Sequence, residues 1–240
     1  MSVKFWMDFH THTIASGHGF STLQENIAAA QEKGLKYLGY SEHGPELPGG
    51  PHPLYYGNMK VLPREFGELR LFCGVEANIL DYDGRLDMSD EQLSKLEYCI
   101  ASLHIPCCKP GSAQENTHAL IGAMKNPHVS IIGHPDDSRY PLDYEALVKA
   151  AKENGVILEV NNSSLHPKSV RQNGRENVKT LLGYCMKYDC PVIMGSDAHF
   201  SASVGNFESA FSVIEEAGFP KELVLNLDPE GWKKIVNKHN

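Results

Sequence analysis

Short apolar segments recur along the chain, and each ends in a polar turn that a helical pattern usually follows. This alternation is typical of a parallel α/β fold, in which a helix leads from each strand to the next. About seven strands are predicted from this pattern. They are Phe5–Phe9, Tyr37–Tyr40, Leu71–Val75, Tyr98–Leu103, Ser130–Gly133, Val156–Val160 and Pro191–Met194.

The clearest helical pattern is Thr22–Lys33, with Ser21 as candidate N-cap, Gln24 at the capping-box position and Gly34 at the end. Further helices are predicted near Glu91–Leu96, Asn116–Lys125, Tyr144–Asn154, Glu176–Tyr188 and Asn206–Ala217, with a short closing helix at Glu230–Asn240. The segment Glu46–Pro53 is rich in proline and glycine, which predicts a surface loop. On a barrel, this loop would overhang the mouth.

The composition is that of an ordinary globular protein, with 41% hydrophobic and 22% charged residues. A chain of 240 residues has the length of a single α/β barrel, so we expect one domain over residues 1–240. No apolar run approaches the roughly 18 residues that a membrane span needs. The first eight residues reach an acidic side chain too early for a secretory signal, which predicts a cytoplasmic protein.

A formal charge of −8 offers no basic face to a polyanionic duplex, so long nucleic acid is not expected as the main partner. The sequence is compatible with a homo-oligomer. The six cysteines lack the spacing of a disulfide framework or a zinc site, so we expect reduced thiols that mostly pack. Cys107 and Cys108 follow His104, which leaves a role near a site open.

Histidines and acidic residues stand at the ends of nearly all the predicted strands. They are His10, His12, His43, Glu76, His104, His134, Asp197 and His199. A barrel gathers the carboxyl ends of its strands at one mouth, where enzymes of this architecture have their sites. One such histidine alone is more often an ordinary surface or core residue, but the whole set at one end favours a metal site.

The pair His10 and His12 adds geometry, because alternate residues of a strand point to the same face and can bind one ion. Imidazole and carboxylate ligands suit zinc, manganese or iron. The lack of thiolate ligands argues against a purely structural zinc site.

The motifs resemble those of the polymerase and histidinol phosphatase (PHP) superfamily, and within it the YcdX-like phosphatases. The resemblance covers nearly the whole chain. It is carried by Asp8–Thr13 with His18 beyond, Ser41–Pro45, Gly74–Ile79, Gly133–Pro135, Asn161–Ser164 and Gly195–His199. The family implies a distorted seven-stranded (β/α)7 TIM-like barrel with three divalent metal ions, zinc above all, with manganese or iron as alternatives.

The resemblance also implies the ligands of each ion. The first would be held by His10, His12, Glu76 and Asp197, the second by Glu76, His104 and His134, and the third by His18, His43 and His199. A hydroxide shared between ions at Glu76 would then attack a small phosphate monoester. Asp197 would orient this nucleophile or serve as a ligand only.

The sequence offers two candidate substrate contacts. Arg64 is a candidate phosphate clamp because a guanidinium binds oxyanions with two bonds, although a solvated helix charge explains it equally well. His52, in the predicted overhanging loop, is a candidate contact for the rest of the substrate.

Three alternatives remain open at this point. One is an exonuclease-like phosphodiesterase, against which the acidic chain and the lack of an aromatic and basic stripe argue. Another is a metal-binding regulatory domain without catalysis, although a complete ligand set argues against it. A metal-dependent amidohydrolase is the last, because a hydroxide on metal also attacks carbonyl groups.

Overall fold

The structure is a computed structural model that describes residues 3–236. Its strands are β1 Met7–Asp8, β2 Tyr37–His43, β3 Glu65–Phe66, β4 Leu69–Asn78, β5 Tyr98–Ser102, β6 Val129–Ile132, β7 Ile157–Asn161 and β8 Val192–Gly195. Seven of them run parallel in the order β1-β2-β4-β5-β6-β7-β8, and β3 forms a hairpin with the start of β4. The predicted fold, a nearly closed and distorted seven-stranded α/β barrel, is confirmed.

Helices connect the parallel strands and cover the outside of the sheet. They are α1 Leu23–Glu32, α2 Pro53–Asn58, α3 Asp90–Leu93, α4 Ala113–Met124, α5 Tyr144–Asn154, α6 Gly174–Tyr188, α7 Glu208–Glu216 and α8 Lys233–Val236. The cap of α1 lies one residue later than predicted: Thr22 is the N-cap, and Glu25 completes the capping box. No helix within residues 3–236 has both the length and the apolar composition that crossing a bilayer requires.

Two differences from the predicted elements affect the site. β2 and β4 continue through the polar motifs that follow their apolar segments, so His43 and Glu76 are strand residues and register partners. The predicted surface loop Glu46–Pro53 leads into the unpredicted helix α2, whose first residue is Pro53. Of the predicted closing helix, the structure shows α8, and positions 237–240 lie outside the described residues.

Apolar side chains fill the barrel interior, and nearly every parallel strand contributes at least one of them. The members are Met7, Phe9, Phe72, Tyr98, Ile100, Ile131, Ile157, Ile193, Leu225 and Ile235. A larger apolar cluster lies between the sheet and the helices. Burial on both faces explains why the strands appear in the sequence as continuous apolar segments.

The barrel closes at a seam between the first and last strands. At the mouth, Thr11 and Ala198 form a parallel bridge, and His12 N donates to Ala198 O at 2.9 Å. At the other end the buried Asn226 side chain spans the seam: Nδ2 donates to Met7 O at 3.0 Å and to Met194 O at 2.9 Å, and Oδ1 accepts from Met194 N at 2.7 Å. The Asn226 side chain therefore provides the hydrogen bonds that link β1 to β8 at this end of the barrel.

We expect Asn226→Ala to lower the free energy of unfolding by about 3 kcal/mol or more, because it leaves three buried backbone groups without partners at about 1–3 kcal/mol each. Urea unfolding followed by circular dichroism measures the change. The control is Asn58→Ala, at an exposed position, which should stay within about 0.5 kcal/mol of the parent. A loss below about 1 kcal/mol for Asn226→Ala would show that the seam is held by other contacts.

Candidate metal centre

The carboxyl ends of the parallel strands bring the predicted metal ligands to one mouth of the barrel. His43 is the last residue of β2, and Glu76 lies opposite it in β4. The other ligands lie in the segments after β1, β5, β6 and β8: His10, His12, His18, His104, His134, Asp197 and His199. The topology thus gathers at one place side chains that are up to almost 190 residues apart, as His10 and His199 are.

Two of these residues have a left-handed backbone, with φ of 31° at His134 and 53° at Asp197. Residues other than glycine adopt this region rarely, and where they do the surrounding structure must hold them. His134 N donates to Glu159 Oε2 at 2.7 Å, and Asp197 N donates to His10 O at 2.9 Å. The backbone strain is therefore located at the site and fixed by its own hydrogen bonds.

The Glu76 carboxylate is the centre of the cluster and is fully buried. Its Oε2 atom lies 3.3 Å from His10 Nε2, 3.4 Å from His12 Nε2 and 2.7 Å from His43 Nδ1. The Asp197 Oδ1 atom lies beside the same two Nε2 atoms, at 3.6 Å and 3.4 Å. One oxygen of Glu76 thus belongs to a group of three imidazoles and a second carboxylate.

The other oxygen of Glu76 faces a different pair of imidazoles. Oε1 lies 3.3 Å from His104 Nε2 and 2.8 Å from His134 Nε2. The carboxylate therefore divides its oxygens between two sets of nitrogen atoms, which is the arrangement that a carboxylate shared by two ions requires.

Hydrogen bonds on the far side of three rings determine where their protons lie. His10 Nδ1 is 2.7 Å from the Glu159 carboxylate, which only accepts. His12 Nδ1 is 3.1 Å from Ser16 Oγ, whose own proton goes to the Glu42 carboxylate. Each Nδ1 must therefore be the donor, and in the neutral ring that a metal ligand requires, each Nε2 carries a lone pair on the side of Glu76.

His104 is fixed in the same way. Its Nδ1 lies 2.7 Å from Asn78 Oδ1, and the Asn78 amide is oriented because its Nδ2 donates to Asp87 at 2.6 Å and to Gly44 O at 3.2 Å. Outer hydrogen bonds of this kind orient the histidine ligands of metal sites. The inward Nε2 of His104 therefore also carries a lone pair.

In the neutral rings, these lone pairs face carboxylate oxygens. Both kinds of atom are hydrogen-bond acceptors, so they cannot bond to each other. The Nε2 atoms of His10, His12 and His104 and the Oε2 atom of Glu76 are buried without a hydrogen-bond partner among the described residues. Leaving such groups unpaired in a protein interior costs about 1–3 kcal/mol each. Divalent cations on the two sides of the Glu76 carboxylate would satisfy these atoms, so these residues fit a metal site.

A second arrangement of this type lies at the edge of the cluster. His18 Nε2 and His199 Nε2 lie 2.9 Å apart. Their Nδ1 atoms lie 3.1 Å from Ser16 O and 3.0 Å from Asp197 O, which are acceptors, so both Nδ1 atoms are donors. Two lone pairs therefore face each other, and this contact needs a shared proton or a cation.

Burial and neighbouring charges lower the pKa of three of the clustered histidines, the direction that metal binding needs. Burial, together with the adjacent His43 and His199 rings, holds the pKa of His12 well below its usual range. Burial likewise lowers the pKa of His104 and of His18. These imidazoles are therefore neutral near pH 7 and available as ligands.

His10 and Glu76 show the opposite balance of effects. Burial lowers the pKa of His10, but the carboxylates of Glu159, Glu76 and Asp197 outweigh burial and raise this pKa well above the usual value. Burial raises the pKa of Glu76, but the imidazoles of His10 and its neighbours outweigh it and hold this pKa well below the usual range. The field at this point favours a positive charge, which a proton or a metal ion can supply.

Among residues 3–236, three groups of ligand atoms are close enough to hold an ion, with all atoms of a group within 4.8 Å of one another. The groups are His10, His12 and Glu76; His43, Glu76 and His104; and His12, His43 and His199. The shared members make them one continuous cluster.

A cavity of about 660 Å³ opens onto this cluster. Its polar lining includes the guanidinium of Arg171, whose Nη1 donates to Asp197 Oδ2 at 3.0 Å, Asn161 Oδ1 at 3.2 Å and Ser164 Oγ at 3.1 Å. These bonds fix the guanidinium beside Asp197.

The structure does not bring the two predicted substrate contacts to this cavity. Arg64 is tied elsewhere: its Nε donates to Glu97 Oε2 at 2.8 Å, and its Nη1 donates to two backbone carbonyls. His52 is the N-cap of α2, where its Nδ1 accepts from Leu54 N at 3.2 Å. The loop before α2 does reach the cavity, through Leu47 and Pro48.

Two residues at the site were not predicted from the sequence. Glu159 holds His10 and His134, and a signal for it exists, since it is a charged residue within an apolar strand. A Cβ at Gly195 would lie 1.8 Å from Glu159 Oε1, so glycine is required there for this carboxylate to reach His10. Arg171 lies in a polar loop, where nothing in the sequence distinguishes it from a solvated arginine.

Solved structures share this fold at low identity. The histidinol phosphate phosphatase of Lactococcus lactis, determined with zinc, L-histidinol and phosphate, superposes with a TM-score of 0.60 and 17% identity, covering 91% of this chain and 95% of that one. A chain in the structure of archaeal ribonuclease P with mature tRNA gives 0.55 and 17%, covering 97% and 87%. At these identities the likeness establishes the architecture alone.

Family models and curated relatives match more specifically. Residues 8–163 match the PHP domain, and residues 180–224 match the model described as PHP-associated. A protein named "probable phosphatase" from Clostridium acetobutylicum is 44% identical over 98% of this chain and 94% of its own length. Another of that name from Acetivibrio thermocellus is 41% identical over 98% and 97%. The chain belongs to the PHP family.

Proposed function

We propose that this chain is a phosphoric monoester hydrolase that uses a cluster of divalent metal ions at the mouth of its barrel. The observation that carries the proposal is the buried Glu76 carboxylate, whose two oxygens face separate sets of imidazole nitrogens. The names of the relatives and the phosphate in the Lactococcus lactis structure support phosphate esters as substrates.

The proposal assigns three ions to the cluster. The ligand sets are His10, His12, Glu76 and Asp197; Glu76, His104 and His134; and His18, His43 and His199. The opposed lone pairs of His18 and His199 support the third position. Imidazole and carboxylate ligands suit zinc, which the Lactococcus lactis structure contains, and also manganese or iron.

The ligands come from both matched parts of the chain. Residues 8–163 contain most of them, whereas Asp197 and His199 lie in the PHP-associated match. The seam bridge between Thr11 and Ala198 joins the two parts at the site. We therefore infer that residues 1–240 act as one hydrolase domain.

Bound divalent ions would supply Lewis acidity and lower the pKa of water towards about 7. The chain itself would position the substrate. Arg171 lines the cavity and is held by Asp197, Asn161 and Ser164 through Nη1. Its remaining N–H groups would donate to a phosphoryl oxygen of the substrate. Asp197 serves as a ligand and, through Oδ2, holds this guanidinium in place.

Small monoesters fit this site better than long nucleic acids. The cavity of about 660 Å³ accommodates a small molecule, and the chain carries a formal charge of −8. A hydrolysis screen of metal-reconstituted protein with monoesters, diesters and single-stranded DNA tests the proposal. Degradation of DNA without monoesterase activity would replace it with the phosphodiesterase alternative.

Protein purified without chelator should contain between two and three transition-metal equivalents, because a dense cluster of imidazole and carboxylate ligands binds such ions tightly. Elemental analysis by mass spectrometry measures the content. One equivalent or less after reconstitution would contradict the three-ion assignment.

Glu76→Gln should remove most of the phosphatase activity, by about a thousandfold, and should reduce metal content. The amide has one good acceptor oxygen and no charge, so it cannot serve two ions, and at about 1.4 kcal/mol per factor of ten the loss is about 4 kcal/mol of barrier. Circular dichroism should change little because Glu76 lies at the mouth.

The control for this variant is His118→Ala. His118 is exposed on α4, where its Nδ1 lies 2.8 Å from Tyr82 O, so its loss should hardly affect the rate. Normal turnover and metal content in Glu76→Gln would overturn the central role of this carboxylate.

Glu159→Gln should weaken metal binding or activity by about 10- to 100-fold, the usual effect of removing an outer partner of a histidine ligand. Whichever way the new amide turns, its NH2 group meets a donor, either His10 Nδ1 or His134 N. Competition with a fluorescent chelator measures affinity. The matched control is Glu153→Gln, an exposed change on α5. Equal affinities in the two variants would mean that Glu159 does not orient these ligands.

A further inference from the structure

Several of the exposed large hydrophobic side chains are close in sequence to the cluster residues, and two of them line the cavity. Nine such side chains are exposed within residues 3–236, and five of them lie within two positions of a cluster histidine or of Arg171. The five are Ile14, Phe20, Ile105, Val170 and Phe200. Single exposed hydrophobic residues are ordinary, whereas a concentration around a cavity marks a binding surface.

Two of these side chains belong to the cavity itself. Ile105 is 41% exposed and Val170 is 77% exposed, and both line the cavity next to the metal ligands and Arg171. Together with their neighbours they form a surface that we call the apolar wall. It consists of Leu47, Pro48, Leu103, Ile105, Pro106, Tyr140 and Val170.

Internal hydrogen bonds hold much of the apolar wall in place. The amide groups of Cys107 and Cys108 both donate to His104 O at 2.9 Å, which closes the turn that carries Ile105. The Tyr140 hydroxyl donates to Cys108 O and ties this turn to the segment after β6. The part of the apolar wall formed by Ile105, Pro106 and Tyr140 is therefore held in place at the cavity onto which the cluster opens.

The charged groups of the cavity are largely committed to other partners. Arg139 is paired with Asp137, with its Nε 2.7 Å and its Nη2 2.6 Å from Oδ2. Arg171 is paired with Asp197. Lys168 is exposed at the rim, so its ammonium group is solvated. Besides the cluster residues, the lining offers mainly the side chains of Ser163, Lys168 and Ser169 to the hydroxyls of a substrate. These are few partners for a molecule with many hydroxyls, and burying hydroxyls without partners is costly.

We propose that the physiological substrate is a phosphate monoester of a mainly apolar alcohol, aliphatic or aromatic, whose organic part packs on the apolar wall. The inference rests on the proposed function, because the phosphoryl group must lie at the cluster for the organic part to reach this wall. According to this proposal, Ile105 and Val170 determine the substrate specificity, and sugar phosphates are poor substrates.

The test uses metal-reconstituted full chain and a series from ethyl to hexyl phosphate, whose leaving groups have nearly equal acidity. Since burial of a methylene contributes up to about fourfold, kcat/KM should rise by about twofold to fourfold per methylene. Glucitol 6-phosphate, a hydroxylated six-carbon ester, should be much poorer than hexyl phosphate. A six-carbon ester ending in a carboxylate tests whether Lys168 selects a second anion instead.

Two variants probe the apolar wall directly. Ile105→Thr and Val170→Thr put a hydroxyl on it and should flatten the chain-length dependence while leaving inhibition by inorganic phosphate unchanged. The matched control is Val61→Thr, because Val61 is 64% exposed and does not line the cavity. Calorimetry with alkyl phosphonates gives a second readout: affinity and the negative heat-capacity change of binding should both grow with chain length.

The outcomes separate the two proposals. Hydrolysis of monoesters without chain-length dependence, or with preference for the hydroxylated or carboxylated ester, overturns the apolar-wall proposal and leaves the phosphatase proposal standing. If no monoester is hydrolysed, the phosphatase proposal fails. The affinity for alkyl phosphonates then tests separately whether the apolar wall binds an alkyl chain. Phosphonate affinity that is independent of chain length overturns the wall in that case.

Discussion

The structure depends on one constraint: a fully buried carboxylate must remain among imidazole nitrogens that present lone pairs to it. Glu76 lies on a strand inside the sheet and cannot withdraw into solvent. The outer hydrogen bonds of His12 and His104, together with the burial that lowers the pKa of both rings, leave these two imidazoles without a proton to offer it. This arrangement is unfavourable in isolation. The apolar interior and the helix layer must stabilise the barrel enough to keep it, and a bound cation converts the same atoms into a favourable site.

The partners that orient the histidines differ chemically but act in the same way. His10 is held by a carboxylate, that of Glu159. His12 is held by a serine hydroxyl that itself donates to Glu42, and His104 is held by an asparagine that donates to Asp87. All of these partners contact the Nδ1 atom of the ring, on the side away from Glu76. The site is therefore organised by the protein before any ion binds, which reduces the ordering that binding must cost.

The sequence was sufficient for the architecture and for bringing most of the candidate metal ligands together, because parallel strands must end at the same mouth. His18, which stands in a loop, was assigned only through the family resemblance. The sequence was less informative on strand length. The apolar pattern ends before His43 and Glu76, whereas β2 and β4 continue through these residues. It could not decide between arginines: Arg64 and Arg171 both stand in polar segments, and only the folded chain shows that one is paired with Glu97 and the other with Asp197. Such choices depend on contacts between distant segments, which no local pattern records.

The division between ligands and apolar wall has a consequence for how such a site can change. The ligands lie in or just after the strands, where the register of the sheet fixes them, whereas Ile105 and Val170 lie in connecting segments beside His104 and Arg171. Under the proposed function, attraction for a phosphoryl group would come from the cluster and would be common to all monoesters, so it could not select among them. Selection must come from the part of the cavity that the leaving group touches. Since connecting segments tolerate substitution better than a buried sheet, one chemistry can serve different alcohols by exchanging wall residues while the cluster stays unchanged.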